Sequence, residues 1–441
     1  KIISFSLLSF LLLLLLYVIY KDIFVVTDIE FSNYYYHYYA LIIIFLIFSI
    51  YSFWISYALK INILLFCSSI LISLYSIEFY LIYNYHYKVN DYNLKKDFDK
   101  TTKLQFYSKE LKLDLTTVPT VPPKSNLEND LFFPLSGVSN SNTIMCNELG
   151  YFSKYKSDRF GFNNKNDLWD SKIIDAATIG DSFTHGECVN YKDTIAGKLT
   201  AKHNLKTLNL GYSGNGPLIE YATIKEYLPR NVKTLVWIYY EGNDLADLSK
   251  ELKNPILKNY INKDDYSQNL IYKKNEINNF LRKKIKISID KNQNYLWDDF
   301  LPTINFIKSK DKIFDYTRFF KLYTLRELTI NFLFPLKINN NFEKILLNVK
   351  NELAKKDKNF LFVYLPDQNR YKKKIYNHSK FLNYKGVINI VEKNKIDYLD
   401  FNKIFINNFN DPSNLYASKI GGHFNVKAYE FIADRIFNKI N

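Results

Sequence analysis

Apolar and polar positions divide this chain into two regions of different character. The first 87 residues hold three long apolar runs. Residues 2–20, IISFSLLSFLLLLLLYVIY, carry no charge and are about long enough to cross a bilayer as a helix. A second run, ALIIIFLIFSIYSFWISYAL, covers about 40–59 and a third about 63–83, with only Lys60, Ile61 and Asn62 between them. The pattern predicts an all-α transmembrane region over 1–87 with the lipid bilayer as its partner, the last two helices forming a hairpin. No small-residue cleavage site follows the first run before Lys21-Asp22, so it reads as a retained anchor. Tyrosines at 34–39 and 80–87 suit the headgroup region. Three crossings place the chain ends on opposite sides, and Lys1 and Lys60 favour the cytoplasmic side for the start and for the hairpin turn. Everything after Tyr87 is then expected outside the cytoplasm.

Beyond that point the periodicity changes. Residues 88–141 are polar and contain VPTVPPKSNLEND, which reads as a linker. A domain is expected over 142–441, and after Asp175 short apolar runs alternate with longer helical stretches. The expected strands are 176–180, 206–210, 234–240, 359–365 and 396–400, with helices over Thr194 to His203, Leu218 to Leu228 and Lys385 to Asn394. Such alternation predicts an α/β domain, a parallel sheet with helices on both faces. Sites in that architecture form beyond the carboxyl ends of the strands. An insertion at about 251–357 is rich in Lys and Asn. Its aromatic stretch at 314–335, FDYTRFFKLYTLRELTINFLFP, is expected to pack in the domain, to cap a pocket or to lie on the bilayer.

Charge adds little to this picture. The net charge is +15, and the first 87 residues hold three lysines and four acids, so +16 lies beyond them. A chain this rich in Lys, Asn, Ile and Tyr has the composition of AT-rich coding, and no zinc-finger spacing, basic heptad region or RNP-like strand points to nucleic acid. No Cys/His cluster, P-loop or dinucleotide fingerprint appears, so neither metal nor cofactor is expected. Of the three cysteines, Cys67 lies in an apolar run. Cys146 and Cys188 either form a disulfide, in an oxidising compartment, or remain two buried thiols.

The strand ends carry the chemistry. The first expected strand runs into Gly180-Asp181-Ser182-Phe183 and the second into NLGYSGNGP. The third runs into Glu241-Gly242-Asn243-Asp244, and the last is followed by a loop ending Gly421-Gly422-His423-Phe424-Asn425. GDSF, SG, GND and GHFN, in this order, resemble the four sequence blocks of the SGNH, or GDSL, hydrolase superfamily. The resemblance spans roughly 175–441 and implies a flavodoxin-like three-layer domain. It implies Ser182 as nucleophile and His423 as its base, because a free hydroxyl is a poor attacker at neutral pH. It also implies an oxyanion hole made by the Ser182 and Gly214 backbone N–H groups and the Asn243 side chain.

One position departs from the family. The acid that orients the histidine lies three residues before it in the family, and here that residue is Ile420. Either a backbone carbonyl leaves a Ser-His dyad, or a more distant acid such as Asp411 folds in, or activity is lost. Asp181 and Asp244 are expected to brace loops, His185 to line the substrate site, and RFGFNN at 159–164 to pack beside the sheet. The function implied is a membrane-anchored esterase acting on an O-acyl group of an envelope glycan through a serine acyl-enzyme. Two alternatives stand beside it: an O-acetyltransferase served by a membrane acyl-donor partner, and a non-catalytic glycan-binding module.

Overall fold

The computed structural model describes residues 1–24, 29–94, 99–128, 131–290, 296–297, 319–326, 329, 337–371, 381–418 and 422–441. It falls into two compact units, Lys1–Tyr80 and Leu81–Asn441. The first is built from α1 (Ile2–Phe24), α2 (Ile29–Tyr51) and the start of α3 (Tyr57–Leu94). Among the described residues two segments are long and apolar enough to cross a membrane, Ser4–Ile23 and Tyr57–Tyr83, and the apolar segment Tyr38–Trp54 is shorter. The break before α3 lies at residues 52–56 and not at Lys60 to Asn62, which sit in the opening turns of α3. Serine chemistry explains the shift. The Ser52 hydroxyl donates to the Ser49 carbonyl at 2.6 Å, Ile55 is extended, and the Ser56 hydroxyl accepts the Leu59 N–H at 3.4 Å. Hydroxyls that bond to nearby backbone in this way end one helix and start the next.

The second unit centres on five parallel strands: β4 (Ile174–Gly180), β5 (Thr207–Asn209), β6 (Val232–Tyr240), β7 (Asn359–Leu365) and β8 (Asp397–Asp400). Their order across the sheet is β5-β4-β6-β7-β8. Alternate residues feed two different cores, as side chains on a strand must. Ala177, Ile179, Leu235, Trp237, Tyr239 and Phe362 face one, with the helices Pro217–Tyr227 and Asn340–Ala354. Ala176, Val236, Ile238 and Val363 face the other, with the helices Ile195–His203, Phe401–Asn408 and Val426–Ile440. Covering both faces makes the strands near-continuous apolar runs, and the result is the three-layer α/β sandwich. Local signals set the helix ends. Thr194 accepts the Gly197 N–H at 3.0 Å to begin one helix, and Asn204 ends it in the left-handed region at φ 57°.

A second sheet, β1 (Val118–Pro119), β2 (Asn142–Ile144) and β3 (Lys154–Lys156), has no counterpart among the expected strands. Its first strand lies within 88–141, so the described part of that stretch from Asp99 on, expected to be a linker, is a structural part of this unit. A capping box opens the helix Lys103–Leu113, with Thr102 accepting from Gln105 N–H and Gln105 accepting from Thr102 N–H. Val118, Val121, Phe133, Leu135 and Val138 then bury in the same core as the central strands. Those apolar side chains overrode the polar, proline-bearing composition. Within the insertion, the helices Pro255–Asn262, Lys274–Asp290 and Asn340–Ala354 bury Leu257, Leu281 and Leu346. Most of 314–335 lies outside the described residues.

Candidate active site

The site forms where β4 ends. A side chain at Gly180 would strike the Thr184 hydroxyl and come within 2.5 Å of the Ile238 carbonyl, so only glycine lets β4 turn this close to β6. Asp181 accepts the Phe183 N–H at 2.9 Å and starts the one-turn helix Ser182–His185. Ser182 is its first residue. Because the sheet order is β5-β4-β6, the loops that follow β5 and β6, carrying Gly214 and Asn243, flank the loop of Ser182.

His423 arrives from the other end of the chain. An isolated bridge between Tyr416 and Phe424 closes its loop, and Asn425 caps the last helix by accepting the Ala428 N–H at 3.1 Å. The His423 Nε2 lies 2.8 Å from the Ser182 Oγ. Its Nδ1 lies 3.0 Å from the Glu148 Oε1, and its backbone N–H donates to the Glu148 Oε2 at 2.6 Å. A carboxylate can only accept, so the proton sits on Nδ1 and Nε2 is free to take the serine hydroxyl hydrogen. Gly422, at φ +113°, is required here, since a Cβ would sit 2.7 Å from the Glu148 Oε2.

Glu148 therefore occupies the place where an acid was sought at Ile420 or Asp411. Ile420 lies outside the described residues. Asp411 is engaged elsewhere, accepting the Ser413 N–H at 3.0 Å and the Ser413 hydroxyl at 2.6 Å in a local turn. Glu148 comes from the loop after β2, and a Cys146–Cys188 disulfide ties that loop to the segment following Ser182. The one available signal was MCNELG: a bond from Cys146 to Cys188, six residues after Ser182, brings an acid two residues from Cys146 to the same place. With 42 residues separating the cysteines, removing the bond by Cys188→Ser with Cys146→Ser is expected to cost about 4 kcal/mol by loop closure. Urea unfolding of the variant against the parent checks this, and an unchanged midpoint would contradict it.

Burial by itself would lower the basicity of His423. Glu148, followed by Glu187 and Asp181, outweighs that and lifts its pKa to about 9. Burial pushes Asp181 up to about 6, against the Phe183 N–H and the charges of His423 and Lys124. The sign of the His423 shift has two opposite consequences. Folded-state pKa exceeds the ordinary 6.5, so the stabilisation is complete below about pH 6.5 and is lost as pH rises through about 9. Base catalysis needs the neutral ring, so kcat/KM is expected to rise through the same window. A pH-rate profile of the free enzyme alongside thermal unfolding tests both, and an acid limb near 6.5 would contradict the pair.

Among the described residues the Ser182 and Gly214 N–H groups have no intramolecular acceptor. The Asn243 amide donates one hydrogen to Asp247 Oδ2 at 2.9 Å, which fixes its plane and leaves its second hydrogen to another acceptor. Asp244 accepts the Tyr240 N–H at 2.8 Å. Asn163 and Asn164 of RFGFNN hold the His185 and Asn209 backbone at 3.2 and 2.8 Å. His185 does not line the substrate site. It is completely buried, with Nδ1 3.1 Å from the Ser213 hydroxyl and Nε2 3.0 Å from the Tyr155 hydroxyl, because the one-turn helix points it inward. Cys146, Glu148, Cys188 and His423 hold donor atoms within 4.8 Å of one another. Both sulfurs are joined to each other and the carboxylate is bonded to the imidazole, so this group is the disulfide and the Glu-His pair already described.

No protein-family model matches the chain, and no curated protein matches it. Solved structures do. Axe2, an acetylxylan esterase from Geobacillus stearothermophilus, is 14% identical with a TM-score of 0.31, over 62% of this chain and 97% of that one. A member of the lipolytic protein G-D-S-L family from Veillonella parvula is 10% identical with a TM-score of 0.30, over 60% and 97%. The acetyl xylan esterase AlAXEase is 13% identical with a TM-score of 0.31, over 60% and 98%. The functional reading rests on the four blocks and their geometry and not on these likenesses. In those blocks, and in the parallel α/β fold that carries them, the chain resembles the SGNH/GDSL hydrolases.

Proposed function

We propose that this chain is a membrane-anchored serine esterase that removes an O-acyl group from an envelope glycan. The observation that carries the reading is the line Ser182 Oγ, His423 Nε2 at 2.8 Å, His423 Nδ1 and Glu148 Oε1 at 3.0 Å. As Oγ bonds to the acyl carbon, its proton passes to Nε2. The Ser182 and Gly214 N–H groups and the free Asn243 amide hydrogen receive the oxyanion, each contributing a few kcal/mol to the transition state. When the tetrahedral intermediate collapses, Nε2–H protonates the leaving sugar oxygen. Water then bonds to the acyl carbon and gives a proton to Nε2; as the acyl carbon–Oγ bond breaks, Nε2–H returns that proton to Oγ and the acid is released.

The segments Ser4–Ile23 and Tyr57–Tyr83 supply the anchor. A disulfide suits an oxidising compartment, which favours a catalytic unit outside the cytoplasm. The glycan substrate comes from the resemblance. The detergent-solubilised protein is expected to be labelled by a fluorophosphonate probe, and Ser182→Ala to abolish the label. A folded chain that takes no label would leave the glycan-binding alternative. Release of free acetate from an acetylated oligosaccharide, unchanged by added acceptor sugars, identifies hydrolysis; acetate appearing on the acceptor identifies transfer.

A further inference from the structure

We propose that Glu187 is a positioning residue for the catalytic histidine, facing the Nε2 side of His423 while Glu148 holds Nδ1, and that it sets how firmly Nε2 keeps its proton. The inference rests on the serine-histidine reading above and adds a second carboxylate to it. The Glu187 Oε2 lies 3.7 Å from the His423 Nε2, the same nitrogen that meets the Ser182 Oγ at 2.8 Å. That distance is too long for a hydrogen bond and short enough for strong attraction to an imidazolium in a largely water-free site.

A chain of buried groups fixes the carboxylate there. The Ser213 hydroxyl donates to the Glu187 Oε2 at 2.5 Å. Having given its one hydrogen away, it accepts from His185 Nδ1–H at 3.1 Å, and in the neutral ring His185 Nε2 accepts from the Tyr155 hydroxyl at 3.0 Å. With His185 neutral, every hydrogen bond points toward Glu187. Burial, the largest influence, lowers the His185 pKa to about 4, in agreement. Tyr212 stacks on the ring with centroids 4.5 Å apart. Around Glu187 the facing charges are His423 and Lys103, and around His423 they are Glu148, Glu187 and Asp181; the neutral His185 is the other titratable group beside both. Burial works against the Glu187 charge, yet His423, the Ser213 hydroxyl and Lys103 hold its carboxyl below the ordinary range.

This placement has a kinetic meaning. Glu187 takes no proton at any step. It stabilises the imidazolium from the moment Nε2 accepts the Ser182 proton until that proton leaves on the alcohol, and does so again after water attacks. The resting protonated state gains equally, which holds the free histidine in its acid form at neutral pH.

The test is the pH dependence of kcat/KM for p-nitrophenyl acetate with the full, detergent-solubilised chain. Glu187→Gln is expected to move the acid limb down by about one pH unit and to lower the plateau several-fold, while Glu187→Asp restores most of the shift. Ser213→Ala, which leaves Glu187 in place but frees it, is expected to move the limb the same way by less; it decides the matter if Glu187→Gln does not fold. A limb unmoved in a folded Glu187→Gln, or in Ser213→Ala should the first variant fail to fold, would overturn the proposal. Absence of fluorophosphonate labelling in the parent would instead overturn the serine reading beneath it.

Discussion

Ser182→Ala is expected to lower kcat/KM for an activated ester by about 10⁴ to 10⁶-fold, with little change in thermal stability. In the proposed mechanism Oγ is the atom whose bond to the acyl carbon forms, so its loss would remove the covalent route altogether. Little else depends on it. Its contacts are His423 at 2.8 Å and a long approach to Asp181 at 3.4 Å, while His423 stays held by both carboxylate oxygens of Glu148. The backbone N–H groups of the proposed oxyanion hole are untouched, and they would support whatever slow water attack remains. Single-turnover kinetics with p-nitrophenyl acetate separates the cases, because the parent gives a burst of one equivalent and the variant gives none. A variant that keeps more than a tenth of the parent rate would mean that the nucleophile lies elsewhere.

The parts of this architecture that sequence alone reveals are those with local causes. Four of the central strands are short, largely buried apolar runs and the edge strand β8 follows the apolar Ile396, so all five were legible, as were the glycine-bearing turns that end three of them. What escaped was set by contacts distant in sequence. Glu148 lies 275 residues before His423, in a loop without regular structure, and family spacing directed attention to Ile420 and Asp411 instead. The cysteine pair was the one pointer, since it ties the Glu148 loop to the segment after Ser182. His185 was misplaced for a related reason: its nearness to Ser182 said nothing about which side of a one-turn helix it occupies. The stretch at 88–141 failed differently. Prolines and polar residues dominate its composition, but Val118, Val121, Phe133, Leu135 and Val138 are enough to bury it.

Glu148→Gln is expected to reduce kcat by about 10³ to 10⁴-fold with a much smaller change in KM, while Asp411→Asn leaves both unaltered. A glutamate accepts at two oxygens and here uses both, one from the His423 Nδ1–H and one from its backbone N–H. Glutamine has one oxygen and one NH₂. If the oxygen keeps the backbone N–H, the NH₂ faces Nδ1 and forces the ring proton onto Nε2, where it points at Ser182 and blocks proton removal. If the oxygen turns to Nδ1, the backbone N–H loses its acceptor and the loop carrying His423 shifts. Either way the largest attraction raising the His423 pKa disappears, so the acid limb of the rate profile moves below its parent position near pH 9 even as the plateau falls. This joint signature distinguishes an orienting acid from a structural one, since a merely loosened loop would raise KM and leave the limb in place. Equal rates for Glu148→Gln and the parent would return the site to a bare serine-histidine pair.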